Sequence, residues 1–326
     1  MKKFGYKKLA VFALALVLLI SVLYGGLQLL ESTVLRPEED LQETTPRKTI
    51  TVEEKKYFPR QDITTLLVMG IDKTGPAEAS GYHRNDGDAD LVLLLILDEA
   101  RQTYNALYLN RDSMVEMPVL GLLGDQAGTF YGQLALAHTY GSGLKDSCEN
   151  TRNTVSQLLG GVNIDYYVSM RMDAIAMVND AVGGVTVEVT EDFSQVDPTL
   201  KKGTVTLMGD QALHYVQTRK NVGDQLNLSR IERQKDYMAG FLTAFQKKKA
   251  EDPNFLLKTY DTVSPYLVSD CSIQVISGLL DRCSSYTLGQ IVSPQGENVM
   301  GGEYYEFHID EENLTQLALE LFYSEK

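Results

Sequence analysis

The sequence predicts an α/β protein, a three-layer α/β/α domain with a central mixed sheet, carried behind one N-terminal transmembrane helix. Three observations lead there. Leu9 to Leu30 contains no charged residue. Ile63–Gly70 has a buried-strand pattern ending in glycine and Leu91–Leu97 is an unbroken apolar run, as in strands covered on both faces. Stretches with apolar residues three and four apart are interleaved with them, and helices alternating with buried strands build layers.

The N-terminal elements come first. Residues 1–8 hold four lysines and no acid and read as a cytoplasmic tail. Residues 9–30 are interrupted only by Ser21, Gly25, Gly26 and Gln28. At about 1.5 Å per residue they reach roughly 33 Å as a helix, enough to span a bilayer. Lysines before the span and Glu31 after it put the N-terminus inside. The expected location is therefore the cell membrane, single-pass, with the N-terminus cytoplasmic and the C-terminal domain extracellular. A cleaved signal peptide would need a shorter apolar region, about 7–15 residues, and a small-residue cleavage site. Tyr24-Gly25-Gly26-Leu27-Gln28 does not supply one, so the span reads as an uncleaved anchor.

Residues 31–60 mix charge, threonine and proline and read as an extracytoplasmic linker. Residues 61–326 are the folded domain. After its first two strands come a third at Ala106–Leu109, a helix at Thr151–Leu159 and a strand at Tyr166–Val168. A helix over Met172–Val182 stops at Gly183-Gly184. Val185–Val189 alternates as a strand, and helices succeed it at Gly209–Gln217, Ser229–Lys247 and Glu312–Tyr323.

The net charge of −14 excludes nucleic acid as a partner, because a phosphate backbone demands a basic surface. Hydrophobic residues make up 44% of the chain, enough for a sizeable core. The three cysteines, Cys148, Cys271 and Cys283, are too few for a disulfide scaffold. They are expected as free, partly buried thiols, with a Cys271–Cys283 bridge left open.

Four clusters bear chemistry. Gly70-Ile71-Asp72 ends the first strand, where a carboxylate either holds a hard cation or stabilises its own turn. His83-Arg84-Asn85-Asp86-Gly87-Asp88-Ala89-Asp90 precedes the second strand, as a solvated loop or a metal-and-anion site. Asn110-Arg111-Asp112-Ser113 ends the third, as a surface ion pair or an anion clamp. The fourth runs from Ala212 through Arg219 to Arg230-Ile231-Glu232-Arg233-Gln234. Arg230 and Gln234, at i and i+4, share a helix face that suits a phosphate, or is simply solvated.

Taken together these segments resemble the LytR-CpsA-Psr family of cell-wall phosphotransferases, from about Thr64 onward. The resemblance rests on seven segments in order: LLVMGID, DADLVLLLI, LNRDSM, IDYYVSM, DAVGGVTVEV, MGDQALHYVQTR and GDQ with SRIERQ. It implies transfer of a glycan phosphate from a polyprenyl pyrophosphate carrier onto peptidoglycan. Asp72 and Asp90 would hold Mg²⁺, and Arg111, Arg219, Arg230 and Gln234 would grip the pyrophosphate. Asp112 would stand beside the first arginine as a base or an orienter. Two positions depart from the family's pattern: Gln217 and Asp88 stand where arginine is usual, which leaves more of the charge neutralisation to Mg²⁺. Two other readings compete, a catalytically silent binding or regulatory protein for lipid-linked glycan and a pyrophosphatase in which water replaces the sugar.

Overall fold

The computed structural model describes residues 49–325 except 53, 81–86, 122–123, 219, 224–226, 253–254, 273–274, 276–277, 280–281, 283–284 and 303. The expected tail, membrane span and most of the expected linker lie outside these residues. Among the described residues, no helix is long and apolar enough to cross a membrane.

The fold is mixed α/β with a central mixed sheet, and the chain divides into two compact units. Strands and helices are numbered along the chain. The sheet unit takes its described residues from 36–170, 267–272 and 282–326; the helical unit takes those from 171–266 and 273–281.

In the sheet unit, β1 (Ile50–Val52) and β2 (Lys55–Pro59) pair antiparallel. Among the described residues, regular structure therefore starts at Ile50, ahead of the expected domain start near 61. The central strands are β3 (Ile63–Asp72), β4 (Asp88–Asp98), β5 (Thr103–Leu109) and β8 (Tyr166–Arg171). With β11 (Leu267–Ser269) and β12 (Thr287–Val292) they form one sheet in the order β11-β8-β3-β4-β5-β12. β12 runs parallel to β5, whereas β3–β4, β4–β5 and β8–β11 are antiparallel. Leu94, Leu95 and Ile96 are consecutive and all fully buried, so β4 is covered on both faces, as its apolar run requires.

Two hairpins depart from the sequence expectation: β6 (Met114–Leu120) with β7 (Gln126–Gln133), and β13 (Gly296–Gly301) with β14 (Tyr304–Ile309). β7 and β13 are exposed along most of their length, so no apolar alternation marks them. The unit also holds helix α1 (Lys145–Leu158) and α6 (Glu311–Phe322), then β15 (Tyr323–Glu325), which pairs with β2. Asp310 starts α6 by accepting from the backbone N–H groups of Glu312 and Asn313.

The helical unit holds α2 (Asp173–Ala181), the β9 (Val185–Val189) and β10 (Gly203–Leu207) hairpin, α3 (Asp210–Gln217), α4 (Asn227–Glu251) and α5 (Phe255–Val263). Gly183 and Gly184 end α2 at φ 87° and 89°, their N–H groups bonding back to Asp180 and Asn179.

Candidate active site

The site is built where β3, β4 and β5 end. Asp72 is the last residue of β3 and faces Asp88 across the ladder. The register shifts between Gly70 and Ile71: Gly70 pairs with Leu91 and Ile71 with Ala89, which leaves Asp90 as the extra residue of a bulge. Bulges re-aim side chains at the ends of strands. A Cβ at Gly70 would lie 3.0 Å from the Cβ of Leu91, so glycine lets the strands approach beside that bulge. Asp88 and Asp90 belong to β4 itself, not to a loop before it, because pairing with Ile71 and Asp72 prolongs the strand.

The Arg111 turn is fixed from several sides. Asn110 Oδ1 accepts from the Asp112 N–H at 3.0 Å, and the Asn110 carbonyl accepts from Ser113 N–H at 3.0 Å. The 3-10 turn Leu134–Thr139 donates from Ala135 to the Arg111 carbonyl at 2.9 Å and from Leu134 to that of Ser113 at 2.8 Å. The N–H of Phe307, on β14, donates to the Asp112 carbonyl at 2.9 Å.

The guanidinium thus delivered meets three carboxylates. Nη2 lies 3.3 Å from Asp88 Oδ2, Nη1 pairs with Asp90, and Nε lies 3.5 Å from Asp112 Oδ1. Gln133 Nε2 lies 3.4 Å from Asp112 Oδ1 and donates to the Tyr305 carbonyl at 2.8 Å. Arg111 Nε and Ser113 Oγ are buried with no hydrogen-bond partner among the described residues. Such orphans cost about 1–3 kcal/mol each unless water or a ligand answers them.

A buried polar chain backs the site. His138 Nδ1 donates to the carbonyl of Gly87 at 2.8 Å, and its Nε2 lies 3.9 Å from Cys148 Sγ. The Cys148 thiol donates to Ser169 Oγ at 3.3 Å. Burial pushes that thiol up to about 12, so it stays protonated and is no nucleophile. Cys271 is raised likewise to about 12 by burial. Both are free thiols, as expected; Cys283 lies outside the described residues. Nothing in the sequence singles out His138 or Gln133, since a lone histidine and a lone glutamine have no signature.

Of the expected site residues, Asp90, Arg111 and Asp112 are in contact, and Asp72 is on the adjoining strand. Arg219 lies outside the described residues. Arg230 and Gln234 stand four apart on α4, on one helix face, and their side chains are not among those described. Gln217 ends α3.

The described arginine of α4 is Arg233, which is buried. Its Nε donates to the Tyr215 carbonyl at 2.9 Å, and it also bonds the Thr218 carbonyl and Glu191. Arg233 thereby fixes the backbone on the approach to Arg219. Near it, His214 Nδ1 lies 3.0 Å from Asp197 Oδ2. Burial opposes ionisation of Asp197, but hydrogen bonds from Thr199 and His214 outweigh it and hold the carboxyl below its usual range.

Among the described residues, no three His, Cys, Asp or Glu side chains gather closely enough to hold a metal unaided. Mg²⁺ keeps several waters and takes one or two carboxylates, so a sparse, all-oxygen pair such as Asp72 and Asp90 fits it.

The LytR_cpsA_psr family model matches residues 28–322. The polyisoprenyl-teichoic acid–peptidoglycan teichoic acid transferase TagT of Bacillus subtilis is 26% identical over 275 residues, 82% of this chain and 78% of that protein. TagU of the same organism, with the corresponding name, is 26% identical over 212 residues, 65% of this chain and 60% of that protein. Among solved structures, gbs0355 of Streptococcus agalactiae aligns with a TM-score of 0.62 at 20% identity, covering 80% of this chain and 86% of its own. A structure of TagT bound to LI-WTA aligns with a TM-score of 0.58 at 23% identity, covering 88% of this chain and 98% of its own. At such identities the structures speak to the fold alone.

Proposed function

The chain belongs to the LytR_cpsA_psr family, and on that premise we propose that it transfers a glycan phosphate from a polyprenyl-pyrophosphate-linked donor to peptidoglycan. The relatives' names support glycopolymer transfer to that acceptor. The observation that carries the reading is the arginine delivered to the ends of β3 and β4 among carboxylates, with a buried Nε and a neighbouring Ser113 hydroxyl still lacking partners among the described residues.

Phosphoryl transfer asks mainly for positioning and charge neutralisation. Asp72 and Asp90 would hold Mg²⁺, which when bound offsets charge on the pyrophosphate oxygens. Arg111, Arg219, Arg230 and Gln234 would grip the pyrophosphate and stabilise the charge that builds on the leaving phosphate. A sugar hydroxyl of peptidoglycan attacks the glycan-bearing phosphorus. A P–O bond forms there, the P–O bond to the carrier breaks, and polyprenyl phosphate leaves with that electron pair. Asp112 would orient the hydroxyl or accept its proton. The same reading takes helices as layers on both faces of the central sheet. It takes residues 9–30 as the anchor that keeps the domain outside the cell membrane, beside its lipid-linked donor.

A second reading, a binding protein for lipid-linked glycan, is favoured by the hold of Asp88 on Arg111. Incubating the purified full-length chain with Mg²⁺, labelled donor and peptidoglycan separates the cases. Label on peptidoglycan supports the transferase. Free glycan phosphate marks a pyrophosphatase, and unchanged, bound donor marks a binding protein.

A further inference from the structure

Arg111 presents three nitrogens, and each faces a different carboxylate: Nη2 Asp88, Nη1 Asp90, Nε Asp112. Gripping a phosphate in the two-pronged manner takes two of those nitrogens, so the phosphate must share at least one of them with an aspartate that repels it. The surroundings oppose an anion as well. Asp88 faces Asp72 across the β3–β4 ladder, and like charges opposite each other repel. With three carboxylates on one guanidinium and a fourth one strand away, an approaching polyanion meets excess negative charge.

The three carboxylates are not equivalent. Asp90 belongs to the pair that would hold the cation, and Asp112 is held by its turn and by Gln133. Asp88 stands opposite Asp72 across the β3–β4 ladder. It is also the most exposed of the three, its side chain 34% accessible against 14% for Asp90 and 23% for Asp112.

We propose that Asp88 makes anion binding conditional on a divalent cation. Without the cation, the carboxylates of Asp88 and Asp90 stand on the two terminal nitrogens of Arg111 and repel an anion that would share them. A cation held beside them by Asp72 and Asp90 would offset that charge, so that the anion can share Arg111 while Asp88 stays paired with it. This inference rests on the reading that the site takes a pyrophosphate, and it names the residue that couples the two ligands.

The test is calorimetric binding of inorganic pyrophosphate to the full-length chain in detergent, once with chelator and once with excess Mg²⁺. The wild-type chain should bind more tightly with Mg²⁺ by about tenfold or more, within the usual range of coupling between two ligands. Asp88→Asn should strengthen chelator-condition binding by about the same factor and change Mg²⁺-condition binding little, so that the ratio collapses. Pyrophosphate also complexes Mg²⁺ in solution, but equally for both proteins, so comparing their ratios isolates Asp88. Asp88→Glu should restore the dependence. Asp88→Ser serves as a second neutral variant if the asparagine chain unfolds earlier than wild type.

An equal wild-type affinity in both conditions, a ratio unchanged in the neutral variants, or no binding at all would overturn the proposal. Any of these with labelled-glycan transfer intact leaves the transferase reading standing. Absent transfer with the dependence intact rejects the transferase and keeps the gate.

Discussion

The imidazole of His138 donates from Nδ1 to the carbonyl of Gly87 at 2.8 Å, so a buried ring fixes the backbone immediately before Asp88. His138→Ala removes that buried bond and should cost about 1–3 kcal/mol of unfolding free energy. It should also loosen the start of β4 and weaken Mg²⁺-dependent pyrophosphate binding. His138→Gln, which keeps a donor, should recover part of both. Urea unfolding and calorimetry on the same preparations check this, and an alanine variant as stable as wild type would count against it.

A second prediction concerns stability and pH. Arg60 Nη2 lies 2.7 Å from Asp98 Oδ2, with both side chains nearly inaccessible. Burial disfavours the ionised Asp98, yet hydrogen bonds from Arg101 and Arg60 outweigh it and hold the carboxyl below its usual range. Asp98→Asn leaves the Arg60 guanidinium paired with Asp62 but removes its buried partner, and should cost about 1.5–3 kcal/mol at neutral pH. Because the folded-state value is depressed, this contribution is complete above the unfolded-state value and fades as pH falls through the folded one. The gap between wild type and variant should therefore narrow below about pH 4. A gap that stays constant into acid would show that the pair's ionisation is not its source.

Transfer itself should depend on the arginines. Arg111→Ala and Arg230→Ala should each lower the rate by about 10²–10³ while sparing thermal unfolding. Lysine at position 230 should rescue little, since a point charge lacks the two-pronged grip. Gln217→Arg should strengthen donor binding. Equal background rates in wild type and both alanine variants, with donor still bound, would favour the binding-protein reading.

The metal ligands predict a separate signature. Asp72→Asn and Asp90→Asn should each weaken Mn²⁺ binding, measured calorimetrically, and raise the Mg²⁺ concentration that transfer requires. Neither should shift the unfolding temperature of the cation-free chain appreciably, because Asp72 is exposed and Arg111 keeps Asp88 and Asp112 when Asp90 is neutralised. Undiminished transfer in chelator by both variants would refute the assignment.

Legibility in the sequence tracks the marks that burial leaves there. β3 and β4 announce themselves because strands covered on both faces carry consecutive apolar residues, Leu66–Met69 in β3 and Leu91–Leu97 in β4. The stop at Gly183-Gly184 is legible because left-handed backbone selects glycine. The β6–β7 and β13–β14 hairpins leave no such mark, since exposed strands tolerate any side chain. At the site, Asp90, Arg111 and Asp112 are legible as charged motifs beside strands, and the structure puts them in contact. The contact of Asp88 with Arg111 is not legible. It depends on a one-residue bulge whose only trace in the sequence is the small residue at Gly70.

The pairing of β15 with β2 sets the timetable of the molecule's making. Ser324 bonds to the carbonyl of Phe58, a residue 266 positions earlier. A chain emerging in order from the ribosome therefore holds β2 with one edge empty until the 266 residues that follow Phe58 have appeared. β12 pairs Thr287 with Thr103 of β5, so the central sheet gains one of its outer strands long after its middle ones. Contacts so distant in sequence fold slowly. An apolar, half-assembled sheet waits throughout that interval, with its unpaired edge open to aggregation.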